Sequence, residues 1–422
     1  MKTPNLYPLA ALLLLGSCMT DDVVDESRQE IEYHVTADNR SRAVDSYSPT
    51  NLPGKFQVWA KTAEGKSYFG PDEIRNENGG WIDKTASRYW PKAENLSFYG
   101  IVNLPEDVKF YYEDTGSEKM NPYIHGFSVN DAVEDQIDLM YAVADQVPYS
   151  TSGVPMNFHH ALSQVSFRAR NNTTNLTITI SEVVVGDLYK KGNYTMPSAT
   201  TVAGGGPTGG WDFNPPPKSD NSTDTDDNSY SSKVKYSVTL GNSVELLPVT
   251  LDEENASGEG DTYNLTGPTE KNDNDWSKVL TLIPQTQKAW DPTIKGESYN
   301  GAYFKLRVLI EDQKDASGNG VQLYDDYAVI PAEINWEEGK RYVYTFIFDK
   351  NTNGGYTDTP DDPQPVLATV TYQVSVEDFI VVDDKDENMH DPDVPAPPTP
   401  DDPKTSPGVN IVAPPDAEGV GY

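Results

Sequence analysis

Val165-Ser166-Phe167-Arg168-Ala169-Arg170 alternates apolar and polar residues without a break. Successive side chains of a β-strand point to opposite faces, so this pattern puts Val165, Phe167 and Ala169 on one side and the polar residues on the other. The same alternation recurs in Leu176-Thr177-Ile178-Thr179-Ile180 and at Val234, Tyr236, Val238 and Leu240. Tyr342, Tyr344, Phe346 and Phe348 form an aromatic stripe. Val370, Tyr372, Val374 and Val376 form an aliphatic one, with Thr371, Gln373, Ser375 and Glu377 expected to face water. Few segments carry a helical period. With no helices to cover these half-apolar strands, a second sheet is the cheapest partner, and the expectation is an all-β fold of sandwiches.

Composition agrees. The 25 tyrosines and 12 phenylalanines favour strands, and 31 glycines with 32 prolines supply turns. A chain of 422 residues is long enough for two to three domains that bury their own cores. The boundary is placed near Pro155. Before it, strands are expected at Phe56–Lys61, Leu96–Asn103 and Leu139–Ala144; after it the alternating strands come more densely. Residues 203–232 are rich in Gly, Pro, Asp and Ser, and residues 252–275 are acidic and rich in Asn. Neither carries enough apolar area to order itself, so both read as long loops. Residues 384–422, rich in Asp and Pro, read as an extended tail. No internal repeat is evident.

Charge and motif content exclude several functions. Lys and Arg total 32 against 66 Asp and Glu, a net charge of −34 that repels nucleic acid. The single cysteine, Cys18, leaves the body without a disulfide, a thiol nucleophile or a thiolate metal site. There is no H-E-x-x-H pattern, G-x-S-x-G elbow, P-loop or G-x-G-x-x-G fingerprint. The adjacent imidazoles of His159 and His160 precede a strand and point to opposite faces, so they do not converge on a metal. Asp384, Asp386 and Asn388 start like a calcium loop, but Met389 stands where Gly is needed and Pro395 where Glu is needed. No enzyme activity and no cofactor are expected.

The N-terminus reads as an export signal. A basic start at Lys2 leads into the apolar run Leu6–Leu15, followed by Leu15-Gly16-Ser17-Cys18. That last element resembles a bacterial lipobox, which implies a signal peptide over residues 1–17 and lipidation of Cys18. The apolar run is too short to span a bilayer, so attachment would be by lipid alone. The early acidic residues Asp21, Asp22, Asp25 and Glu26 resemble the signal that sends lipoproteins of Bacteroidota to the outer surface.

Five further segments occur in order. They are Tyr89-Trp90-Pro91 leading into Leu96-Ser97-Phe98-Tyr99; Asp138-Leu139-Met140-Tyr141-Ala142; Phe158-His159-His160-Ala161-Leu162-Ser163-Gln164-Val165; Leu282-Ile283-Pro284-Gln285-Thr286; and Trp336-Glu337-Glu338-Gly339-Lys340-Arg341-Tyr342-Val343-Tyr344. Together they resemble the fimbrillin-like proteins of Bacteroidota, the subunits of type V pili, from about Ile31 to Val382. Each segment also has a structural reading: Pro91 forces an extended predecessor, and Gly339 permits a tight turn. The resemblance implies two tandem transthyretin-like β-sandwich domains with long acidic and Gly-Pro loops, at residues 43–155 and 156–383, behind a propeptide at 18–42.

It also implies a mechanism. An Arg-specific surface protease cuts the exported lipoprotein and removes its first strand; a neighbouring subunit's C-terminal strand then fills the groove, by β-augmentation. Here Ile31-Glu32-Tyr33-His34-Val35 alternates as that strand, with Ile31, Tyr33 and Val35 on one face. Arg42-Ala43 is the first candidate cut and Arg40-Ser41 the second. Val370–Val376 and Val409-Asn410-Ile411-Val412 are both candidate donors. The implied setting is a fimbrium on the cell outer membrane, serving adhesion and biofilm formation, with other pilus subunits as partners and an unknown surface ligand. A different class remains open: a monomeric surface glycan-binding lipoprotein, stacking sugars on tryptophans such as Trp211 or Trp276.

Overall fold

The computed structural model describes residues 29–37, 54–92, 94–114, 121–197, 209–213, 230–251, 255, 257–266, 279–312, 318, 320–349, 354–366 and 370–378. Among them the only helical element is a 3-10 turn, Val133–Asp135; the rest is strand and connection. The all-β expectation holds.

One sheet has seven strands. Its spatial order is β1 (Tyr33–Ala37), β9 (Val154–His160), β8 (Met140–Val147), β5 (Leu96–Val102), β2 (Lys55–Thr62), β3 (Ser67–Glu77) and β4 (Gly80–Asp83). All its pairs are antiparallel except β1 with β9, which run parallel with Tyr33 opposite Val154 and Val35 opposite Met156. A core of Phe56, Val58, Phe69, Ile74, Phe98, Met156, Phe158 and their neighbours lies against one face of this sheet. Nearly every member of that core comes from the sheet itself, so the sheet curves around its own apolar face. The middle strand β5 is buried at every residue. Its other face, with Tyr99 and Ile101, joins the larger core of the molecule.

That larger core is sandwiched between two sheets. One holds β15 (Thr262–Asn264), β10 (Ser163–Asn171), β21 (Lys340–Phe348) and β23 (Val370–Asp378) in that order, with β16 (Leu280–Leu282) also on β10. The other runs β14 (Lys233–Leu246), β11 (Leu176–Tyr189), β18 (Tyr303–Asp312), β19 (Gln322–Pro331) and β22 (Tyr356–Thr357). The alternating residues meet as their pattern requires. Phe167 on β10 packs edge-on against Phe304 on β18 with ring centres 5.8 Å apart, and Phe304 also meets Tyr344 at 4.7 Å. Gly339 sits at φ +68° in the turn before β21, a conformation glycine adopts without cost. A short pair, β17 (Thr286–Gln287) with β20 (Ile334–Asn335), closes one end.

A four-stranded sheet ties the halves of the chain together. Its order is β13 (Gly210–Asp212), β12 (Lys191–Thr195), β7 (Tyr123–Ser128) and β6 (Lys109–Tyr111). Here β7, from before the expected domain boundary, pairs directly with β12, from after it. The larger core likewise draws side chains from both sides of that position, from Trp59 to Val370. Pro155 lies inside β9, which continues to His160, so the first sheet extends past the expected boundary. The expected loops differ too: β13 and β15 fall within 203–232 and 252–275. Each is three residues long, too short for alternation to show in sequence.

Candidate functional site

The segment 29–37 bridges two edges of the curved sheet. The Ile31 amide donates to the Arg88 carbonyl at 2.7 Å, and the Trp90 amide to the Gln29 carbonyl at 3.0 Å. Beyond this anchor the segment becomes β1 and pairs with β9, starting with the Val154 amide on the Glu32 carbonyl at 2.7 Å. Its side chains alternate strictly. Ile31, Tyr33 and Val35 are buried, while Glu30, Glu32 and His34 are exposed. The three inward residues expected from sequence therefore all sit in the core of the first sheet.

Tyr33 is the central of the three inward residues. Its ring stands edge-on to Phe56 at 5.9 Å and to Phe98 at 6.4 Å. The polar end of the slot is formed by Asp72, Asp83 and Arg88. Arg88 grips Asp72 with two bonds, Nε to Oδ2 at 2.5 Å and Nη2 to Oδ1 at 3.0 Å, the fork geometry that suits a carboxylate. Asp83 Oδ1 accepts from the Thr85 and Ala86 amides at 2.8 and 3.1 Å. Its other oxygen, Oδ2, is buried without a hydrogen-bond partner, and so is the Tyr33 hydroxyl. Burial pushes the Tyr33 hydroxyl well above its usual range, with the charges of Asp83 and Asp72 adding to the push. Burial also raises the Asp83 carboxyl, and nearby Asp72 adds to that. Leaving a buried polar atom unmade costs about 1–3 kcal/mol, so the resident strand is seated below its full possible strength.

Nothing in the alternation of residues 31–35 foretold this polar end. Its members come from β3, β4 and the connection after them, and only the curvature of the sheet collects them under β1. Cys18, Arg40 and Arg42 lie outside the described residues, as do Val409–Val412, Trp276 and the calcium-like segment at 384–395.

The other sequence candidates resolve as structural. His160 is buried and its Nδ1 lies 2.9 Å from the Asp138 carboxylate, while His159 is on the opposite side of β9. No three His, Cys, Asp or Glu side chains gather as a metal site among the described residues. Trp211 is half-buried rather than exposed. Its indole N–H donates to the Ala161 carbonyl at 2.7 Å, and its ring leans on Tyr194 and Phe127. It does line a cleft of about 520 Å³ with Phe213, Gln285, Trp336, Glu338 and Lys340. Trp336 points its N–H inward to the Tyr344 hydroxyl at 2.9 Å, and the Tyr194 hydroxyl donates to Glu338 at 2.8 Å, so the cleft floor is held by the core.

The first sheet thus ends in β1, whose inward side chains Ile31, Tyr33 and Val35 belong to its core. The fimbrillin-like family model matches residues 42–360, about three quarters of the sequence, and the chain belongs to that family of fimbrial subunits and adhesins. Its setting is therefore the surface fimbrium. Among solved structures, a fimbrial protein from Bacteroides vulgatus is 13% identical, with a TM-score of 0.52 over 83% of this chain and 99% of that one, and shares the fold. A protein from Bacteroides ovatus provisionally assigned to cell adhesion is 14% identical over 85% of this chain and 100% of its own, with a TM-score of 0.40. No curated protein matches the chain in sequence.

Proposed function

We propose that this chain is a fimbrial subunit exported as a lipoprotein on Cys18, cut after Arg42 or Arg40 by an Arg-specific surface protease, and polymerised by replacement of β1 with a strand from a neighbour. The observation that carries the reading is the seat of β1. It is a terminal strand of its sheet, joined to β9 and to residues 88–90, with Ile31, Tyr33 and Val35 as its inward anchors. Its loss would open a groove with unpaired backbone groups on both sides, the template that β-augmentation requires. The lipid would hold the unpolymerised subunit on the outer membrane, and the assembled fibre would serve adhesion and biofilm formation.

N-terminal sequencing of protein shed from the cell surface tests the processing. A start at Ala43 or Ser41 supports it. Starts at Cys18 alone, with fibres still formed, would refute it. The alternative, a monomeric glycan-binding lipoprotein, has the cleft beside Trp211 and Trp336 in its favour. Glycan-array binding by the uncut monomer, lost on Glu338→Gln, would favour that reading.

A further inference from the structure

Strand replacement at β1 makes no use of the cleft beside Trp211, and no residue of the segment 29–37 lines it. Its volume of about 520 Å³ falls within the range of about 300–1,000 Å³ usual for small-molecule sites. Four of the five ordered segments of the sequence meet there: Pro284, Thr286, Trp336 and Glu338 line it, Tyr141 donates to Glu338, and Ala161 accepts the Trp211 N–H.

The apolar part of the lining is aromatic and braced. The Phe213 ring stacks on Tyr189 at 4.5 Å, and the Trp211 ring leans on Tyr194 at 5.1 Å. The N–H groups of Trp211 and Trp336 are both spent on internal acceptors. These rings therefore present carbon surface rather than donors. An electron-rich ring face attracts the polarised C–H groups of a saccharide ring laid flat against it.

The polar part is sparse. Gln285 is committed to backbone atoms of Tyr189 and Ile283. Glu338 and Lys340 are half-buried in the lining, and Glu337 beside them is exposed. An ionised carboxylate has about four acceptor sites. The Tyr141 and Tyr194 phenols take up part of that capacity on Glu338 and fix the group in place, at 3.4 and 2.8 Å. What remains matches a pair of neighbouring hydroxyls, and hydrogen bonds to a charged acceptor are the strong ones. Lys340 adds an ammonium two residues further on. A wholly apolar occupant would strip water from both charges without replacing its hydrogen bonds. An acidic one would meet Glu337, Glu338 and a chain of net charge −34. A neutral sugar ring meets both demands, with a C–H face for the aromatic rings and hydroxyls for the carboxylate.

We propose that the fimbrial subunit carries in this cleft a binding site for the end of a neutral saccharide, stacked on Trp211 and Phe213 and held through a pair of hydroxyls by Glu338. This rests on the adhesive role described above and names its ligand class. The site lies outside the β1 segment, so the single subunit and the fibre both possess it.

The test uses the uncut full chain with Cys18→Ser. The probes are the methyl glycosides of glucose, galactose, mannose and N-acetylglucosamine at millimolar concentration, read by saturation-transfer NMR and tryptophan fluorescence. At least one glycoside should bind and change the fluorescence. Glu338→Gln should weaken that binding by roughly tenfold or more, because an amide NH2 does not accept from a hydroxyl. Thr286→Trp fills the cleft from an exposed lining position and should abolish binding while the melting temperature stays unchanged. Tyr111→Ala, which removes an exposed aromatic of β6 outside the cleft, should bind as the parent does. Binding of none of these glycosides overturns the proposal. So does binding that survives both Glu338→Gln and Thr286→Trp, or tighter binding of N-acetylneuraminic acid. Binding that disappears once cut chains assemble overturns the assignment to the fimbrial subunit. Chains that bind as expected but never assemble refute strand replacement and uphold the saccharide site.

Discussion

Replacing Tyr33 with Ala is the most direct probe of the groove. Three inward side chains hold β1, and each contributes about 1.5–3 kcal/mol when fully buried. Truncating a buried aromatic residue costs about 3–5 kcal/mol, because the ring's burial is lost and a cavity remains. Here that cavity would lie between Phe56 and Phe98. At about 1.4 kcal/mol per factor of ten, a loss of about 3 kcal/mol weakens β1 docking at least a hundredfold. The assay cuts folded chains after Arg42 and follows release of the fragment ending there by mass spectrometry over time. Tyr33→Ala should release it far faster than the unsubstituted chain. His34→Ala, on the exposed side of the same strand, should not change the rate. Equal release from Tyr33→Ala and the parent would mean that the ring does not hold the strand, and the groove would lose its one aromatic anchor on β1.

Three more perturbations follow from the same geometry. Asp83→Asn keeps the acceptor for Thr85 and Ala86 and removes a charge beside Asp72. The folded-state pKa of Asp83 is raised, so its ionised form is penalised in the fold; that penalty is present above the raised value and gone below the unfolded value near 4. Asp83→Asn should therefore raise the melting temperature at pH 7, with the gain shrinking as pH falls through the raised pKa; a pH-independent difference would contradict this. Asp358→Ala strips the 2.5 Å partner from the Lys305 ammonium, which lies buried over the Tyr299 and Tyr303 rings, and should cost about 3 kcal/mol in urea unfolding. Gly100→Ala would bring a methyl group within 2.6 Å of Met156 Cε and 2.9 Å of Phe158 Cζ, an overpacking expected to cost about 1–3 kcal/mol, and an unchanged melting temperature would refute it.

Much of the scaffold was legible in the sequence because alternation is a local signal. The stripes at Val165–Ala169, Val234–Leu240 and Tyr342–Phe348 point into the core as their spacing requires. Ile31, Tyr33 and Val35 were found the same way. The stripe at Val370–Val376 was only partly right. Its period is correct, but whether Val374 is covered depends on what stands opposite, which no period records. The interlock of β7 with β12 was invisible for a similar reason. Register between strands far apart in the chain is a property of the assembled core, and β6 and β13 are too short to announce themselves. The polar end of the Tyr33 slot required three distant residues to meet, and a chain with 66 acidic residues hides any such meeting in sequence.

The sheet shared between the two halves has a mechanical consequence. Were the halves joined only by a linker, tension on the chain could swing them apart at a hinge, breaking few bonds at a time. Because β7 is hydrogen-bonded to β12, and one apolar core runs beneath both, separation must instead tear rungs and expose buried rings together. A molecule built this way resists stretching as a single block, which suits a filament dragged by flowing liquid.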